Sequence, residues 1–200
     1  MKSKTLFSIL AALSIAIMPL AAVGQLAPER PKNGPGAPAF KYQAFAMAGY
    51  TSLNQVEQSR YGLIGGVGGV TRDFGRHFGL TLQGDYYKPA VGTGNPGDPS
   101  VYDVLAGPEI RATIFGNFDG FIHGLFGIEH TGGEGKTPNI SFAGGYGGGL
   151  LYNLNSRWAI RASGDRIGAS FSLNNNTPQL GYSPHLHWNP RGEIGVVFRF

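Results

Sequence analysis

The chain has 200 residues, among them 33 glycines and no cysteine, with 12% aromatic residues, 14% charged residues and a formal charge of +4. That length suits one domain, and the composition excludes disorder, which combines high charge with few aromatics. The small positive charge, with no Lys/Arg cluster, argues against nucleic acid as a partner, and without cysteine neither a disulfide nor a lipoprotein anchor can form.

Lys2 and Lys4 precede an apolar run from Leu6 to Leu20, and Ala22-Val23-Gly24 places small residues where a signal peptidase cuts. Residues 1–24 are expected to be a cleaved signal, leaving 14 basic against 12 acidic residues. The run is too short, and too soon ended by Pro19, for a spanning helix. Residues 25–39, with Pro28, Pro31, Pro35 and Pro38, resist both helix and sheet and read as a periplasmic lead-in. No later segment approaches the roughly 20 apolar residues of a spanning helix, so any insertion into a membrane must be by strands.

Eight strand-like stretches follow, separated by turns rich in Gly, Asn, Asp and Pro. The first, about Phe40 to Thr51, is poorly phased, with Ala44, Ala46, Ala48 and Tyr50 opposing Phe45 and Met47, and its faces stay open. The second, about Tyr61 to Thr71, contains Gly65-Gly66-Val67-Gly68-Gly69, which suits tight curvature or a crowded interior. In the third, about His77 to Tyr87, Phe78, Leu80, Leu82 and Tyr86 alternate with Thr81, Gln83 and Asp85. The fourth, about Val101 to Phe115, sets Tyr102, Val104, Ile110, Ala112 and Ile114 against Asp103, Glu109, Arg111 and Thr113, with a bulge expected at the donor-less Pro108.

The fifth, about Phe121 to His130, opposes Ile122, Phe126 and Ile128 to His123 and Glu129. The sixth, about Ile140 to Asn153, opposes Phe142, Tyr146, Leu150 and Tyr152 to Ser141, Ala143, Gly145, Gly147 and Gly149. The seventh, about Arg157 to Ile167, opposes Trp158, Ile160 and Ala162 to Arg161, Ser163 and Asp165. In the last, Gly192 to Phe200, period two separates Ile194, Val196, Phe198 and Phe200 from Glu193, Gly195, Val197 and Arg199.

The connections alternate in length. Residues 72–76, 116–120 and 154–156 make short turns, whereas 52–60, 88–100, 131–139 and 168–189 make long loops. Phe78, Tyr152, Trp158 and Phe198 fall near the short-turn end; Tyr50, Tyr61, Tyr86 and Tyr102 fall near the long-loop end. Strands of about ten residues in even number, long loops on one side and two aromatic belts predict an all-β, eight-stranded antiparallel up-and-down transmembrane barrel. Ile194, Val196, Phe198 and Phe200 would face lipid, and Asp85, Asp103, Glu109, Arg111, His123, Glu129, Arg161, Asp165, Glu193 and Arg199 would form a charge network in the lumen.

Ala48-Gly49-Tyr50, Leu105-Ala106-Gly107-Pro108, His123-Gly124-Leu125-Phe126-Gly127, Gly147-Gly148-Gly149-Leu150, Ile160-Arg161-Ala162 and Gly195-Val196-Val197-Phe198-Arg199-Phe200 resemble the OmpA-like outer-membrane β-barrel family over residues 40–200. The resemblance implies an outer-membrane location, contact with lipid and lipopolysaccharide, and a C-terminal strand, Ile194 to Phe200, read by the barrel-assembly machinery. It specifies the fold well and the activity poorly, and it carries no expectation of a peptidoglycan-binding domain.

A barrel of eight strands is filled by its own side chains, so the expected role is structural or surface-interacting, without catalysis or cofactor. A narrow gated ion or small-solute path is the alternative, and behind it a lipid-modifying enzyme, for which no lipid-facing His-x-Ser pair with a completing Glu is found. Gly92 to Gly97 matches G-x-G-x-x-G, and Gly135-Lys136-Thr137 the end of a phosphate loop, but neither opens a helix. His185 and His187 lack the further ligands of a metal site. Loops 88–100 and 168–189, the latter with Asn174-Asn175-Asn176, Tyr182 and Trp188, are where an extracellular ligand would bind.

Overall fold

The computed structural model describes residues 40–54, 60–89, 99–133, 139–169 and 187–200. The expected signal and lead-in, the two phosphate-loop look-alikes, His185 and most of the long loops lie outside them.

Eight strands, β1 Tyr42–Asn54, β2 Arg60–Asp73, β3 Phe78–Pro89, β4 Pro99–Phe115, β5 Phe118–Gly133, β6 Asn139–Asn153, β7 Trp158–Ala169 and β8 His187–Arg199, follow one another around a closed barrel. Every neighbouring pair is antiparallel, and β1 closes the ring against β8. The strands overrun the sequence-based bounds at the long-loop end, where residues 168, 169 and 187–191 belong to β7 and β8.

Alternation decides which side faces inward. Along β3 every second residue is buried, with Thr81, Gln83, Asp85 and Tyr87 inside and Phe78, Leu80, Leu82 and Tyr86 outside. The apolar residues are therefore largely the exposed ones, from Leu82 to Ile122, Phe126, Phe142 and Ile194, and the polar ones the buried ones. This inverts the pattern of a water-soluble domain and matches a barrel whose solvent is hydrocarbon. In β1 the faces resolve unexpectedly: Gln43, Phe45, Met47, Thr51 and Leu53 are buried, while Ala46 and Ala48 are exposed.

The bulge expected at Pro108 does not occur. Pro108 pairs with Leu80 of β3, and the register against β5 is the same on both sides, with Ala106 opposite Phe126 and Glu109 opposite His123. The strands approach closely here instead: a Cβ on Gly107 would lie 1.8 Å from the Gly124 carbonyl oxygen. The missing donor is accommodated without an inserted residue. The register shift of this pair lies between Thr113 and Phe115, beside the turn at Gly116-Asn117. Gly116 has φ 50°, which a two-residue hairpin favours and L side chains rarely adopt.

Rings line the short-turn rim. Phe115, Phe118 and Tyr152 touch in series, with centroids 4.8 and 4.9 Å apart. Trp158, Phe198, Phe200 and Tyr42 do so at 4.9, 6.1 and 5.8 Å. Tyr50, Tyr86 and Tyr102 are exposed toward the other end, and Tyr146 is exposed at the middle of β6; the Tyr61 side chain lies outside the described set.

Candidate functional site in the barrel lumen

The polar side chains that alternation turns inward meet in the lumen as three clusters. Toward the short turns, Arg161 of β7 lies between two aromatic faces, its guanidinium 3.8 Å from the Phe121 centroid and 4.9 Å from that of Phe45. Its Nη2 donates to Glu109 Oε2 at 2.9 Å, and Arg111 donates to the other oxygen, Oε1. Thr81 also donates to Glu109, at 3.3 Å, and Arg111 Nη1 lies 3.6 Å from Asp73, which accepts from Gln43 at 2.6 Å. At the rim, Arg199 donates to Asn153 at 2.6 Å, and Asn153 and Thr113 donate to Asp119 at 2.7 and 2.8 Å.

The second cluster centres on Arg191, a residue that the sequence reading did not single out. Arg191 Nη1 donates to Asp85 at 2.6 Å, and Nη2 donates to Asp103 at 2.5 Å and to Glu129 at 3.3 Å. One guanidinium thus serves three buried carboxylates from three strands. Its signal was present, since Arg191 precedes Glu193 by two residues and shares its face, but the strand was expected to begin only at Gly192. Along β4, Asp103 and Glu109 are six residues apart, about 20 Å at the usual strand rise.

Between them stands the third group. Glu193 accepts from Tyr87 at 2.8 Å and from Ser163 at 3.0 Å, and His123 Nε2 lies 2.9 Å from Asp165 Oδ1. The second His123 nitrogen, Nδ1, and Asp165 Oδ2 are buried with no hydrogen-bond partner. His123 and Asp165 resemble two members of a catalytic triad, but Ser163 on the same strand is engaged by Glu193. Buried apolar side chains, including Met47, Val67, Leu105 and Leu125, share the lumen with these groups.

Glycine makes room for this filling. On β6, a Cβ at Gly147 would lie 1.9 Å from Asp165 Oδ1, and one at Gly149 would lie 1.9 Å from the Ala162 carbonyl oxygen. The row of small residues on that strand is therefore a steric requirement of the wall and of the Asp165 side chain behind it.

All ten charged or histidine positions expected to face inward do so, Arg111 only partly buried near the rim. Asp73, Asp119 and Arg191 join them. Ile194, Val196 and Phe198 of the last strand, and Phe200 after it, lie on the outer side. His187 pairs with Ala169 in the sheet, and among the described residues no group of three or more His, Cys, Asp or Glu could hold a metal ion.

No family description matches this chain, and no curated protein matches it in sequence. Its fold is found among solved structures. Neisserial surface protein A superposes with a TM-score of 0.65 at 10% identity, covering 84% of this chain and 100% of that one. Ail, the attachment invasion locus protein of Yersinia pestis, superposes with a TM-score of 0.55 at 16% identity, covering 80% and 99%. At such identities the likeness is one of fold: a closed eight-stranded antiparallel barrel of the outer-membrane type.

Proposed function

We propose that this chain is an integral outer-membrane protein whose lumen is closed by its own side chains and whose role is structural or surface-interacting. The observation that carries this reading is the seating of Arg161 on the Phe121 and Phe45 rings while it bonds Glu109. A cation held by two ring faces and a carboxylate is a plug with several attachments, and buried charge held this way resists displacement. The apolar exterior and the two aromatic belts support the membrane location. In that setting the long-loop end faces outward, and contact with outer-leaflet lipid and with the barrel-assembly machinery follows from the location.

The second reading, a gated ion path, draws on the polar atoms left without partners in the lumen, Asp103 Oδ1, Asp165 Oδ2 and His123 Nδ1, which would suit water or an ion in transit. Catalysis is given no role. The deciding experiment is single-channel recording of the refolded protein in a planar bilayer, with folding verified by heat-modifiable gel migration. A silent wild type, with discrete steps only when Arg161→Ala is combined with Arg191→Ala, is the outcome expected of a lumen closed at both levels. Steps in the wild type would reverse the order of the two readings.

A further inference from the structure

The outer surface of the barrel is not evenly covered. Gly148 of β6, Gly164 of β7 and Gly192 of β8 stand directly opposite one another across three strands. Ile122 and Tyr50 end that row on β5 and β1. One step toward the long loops, Tyr146, Arg166 and Pro190 form the next row in the same register. One step toward the short turns lie Leu150, Ala162 and Ile194. A cleft of about 610 Å³ over this row has Ile122, Tyr146, Gly148, Gly164, Arg166 and Pro190 in its lining, and Gly192 continues the row just beyond it.

Packing does not account for two of these glycines. A Cβ at Gly192 would meet nothing within 4 Å, and one at Gly164 only the Arg191 carbonyl oxygen at 4.0 Å. Nor does a bulge, because the β7–β8 register runs unbroken through this level. Glycine within a strand weakens it, and one use for it is the close approach of another molecule. Gly68 and Gly84 are open in the same way on β2 and β3, so it is the run of three glycines across adjacent strands, beneath a cation, that points to one here.

The upper lip of the cleft supplies the chemistry. Arg166 is exposed on the outer face, three residues before the end of β7. It is in register with Tyr146, whose ring meets that of Trp188 edge-on at 5.9 Å. Trp188 is the second residue of β8 at the long-loop end, and Tyr146 reaches it from the middle of β6. At the level of the lipid headgroups an arginine can reach anionic groups while its stem stays in hydrocarbon. A guanidinium at that depth is a planar donor matched to phosphate oxygens.

We propose that this cleft binds lipid A, the phosphorylated and multiply acylated glycolipid anchor of lipopolysaccharide. One acyl chain lies along Gly148, Gly164 and Gly192, a phosphate is held by Arg166, and Tyr146 and Trp188 offer ring faces to the sugar. The assignment to a glycolipid of the outer leaflet rests on the reading that the long-loop end faces outward. An apolar trough below a single cation matches the division of lipid A into acyl chains and phosphorylated sugar.

The test is native mass spectrometry of the refolded, delipidated protein titrated with purified lipid A, with phosphatidylglycerol and with dephosphorylated lipid A. Variants Arg166→Gln, Gly164→Leu combined with Gly192→Leu, and Gly84→Leu are run beside it. Gly84 faces lipid on β3 and its Cβ would also have room, 3.7 Å from the nearest atom, so it controls for added bulk. One retained lipid A is expected, weakened about tenfold by Arg166→Gln through loss of a charge-assisted contact. It should be lost in the double glycine variant and unchanged in Gly84→Leu. Equal retention of phosphatidylglycerol, or of lipid A by all variants, would overturn the site and leave ordinary boundary lipid. Failure of the wild type to fold into phosphatidylcholine vesicles would instead refute the membrane reading beneath it.

Discussion

Phe200 and Tyr42 join the two ends of the barrel: each backbone N–H donates to the other's carbonyl, at 2.9 and 3.1 Å, and their rings stack with centroids 5.8 Å apart. The last residue of the sequence, which period two assigned to the lipid face, is thus also the outermost fastening of the β1–β8 seam. The seam pairs residues from 140 positions apart (Thr51 with Arg191) to 156 (Gln43 with Arg199), so its closure must await nearly the whole chain. Phe200→Ala keeps the backbone pair and loses the stacking, which should cost about 1 kcal/mol; deleting Phe200 removes both and should cost more. Urea unfolding in vesicles, followed by gel migration, orders the three proteins. A deletion as stable as Phe200→Ala would mean that the backbone pair contributes nothing to the seam.

Arg191 is the only guanidinium bonded to Asp85, Asp103 and Glu129 among the described residues, whereas Glu109 has both Arg161 and Arg111. Arg191→Met should therefore cost on the order of 3–5 kcal/mol, as expected when a buried carboxylate loses its partner. Arg161→Met should cost less, since Arg111 still compensates Glu109. Adding Asp103→Asn and Glu129→Gln to Arg191→Met should restore part of the loss, a coupling that a double-mutant cycle reads directly. Equal costs for the two single substitutions would refute this division of the lumen.

Much of this architecture is legible because a membrane barrel writes both environments into alternate residues. β3 carries the code most plainly, and Thr81, Glu109 and Arg161 lie inside as period two requires. Apolar Leu105 of β4 is also inside, however, and β7 reverses the code near its end, with Arg166 outside and Ile167 buried. β1 was not legible, because its inward residues Phe45 and Met47 are apolar and its outward ones include two alanines, so hydrophobicity does not separate the faces. Arg191 escaped because Asn189-Pro190-Arg191-Gly192 has the composition of a loop, and only pairing with β7 makes it strand. Pro108 misled because a lost donor need not insert a residue where a glycine lets the strands close up.

The glycines divide into those the wall requires and those it tolerates. A Cβ on Gly195 would come within 2.1 Å of the Ala46 carbonyl oxygen, whereas one on Gly84 would find its nearest atom at an ordinary 3.7 Å. Gly195→Ala should destabilise the barrel by about 2 kcal/mol or more through forced movement of β1 against β8. Gly84→Ala should be neutral or stabilising by up to about 1 kcal/mol, because alanine restricts the unfolded chain without strain. Chemical unfolding of the two variants side by side distinguishes them, and the reverse order would contradict the strand spacing at the seam.

The phase of β1 yields the sharpest test, since it is the one strand whose faces the sequence left open. Phe45 points into the lumen, 4.9 Å from the Arg161 guanidinium, and Ala46 is exposed on the outer face. Phe45→Ala should cost about 3–5 kcal/mol, because it opens a cavity beside a buried charge and removes one of that charge's two ring contacts. Ala46→Leu should cost little, as it adds hydrocarbon to hydrocarbon, while Ala46→Arg should cost about 2–4 kcal/mol if it lies near the midplane. Tolerance of Phe45→Ala together with damage from Ala46→Leu would mean that β1 is turned the other way, and every register assignment along the β1–β8 seam would move with it.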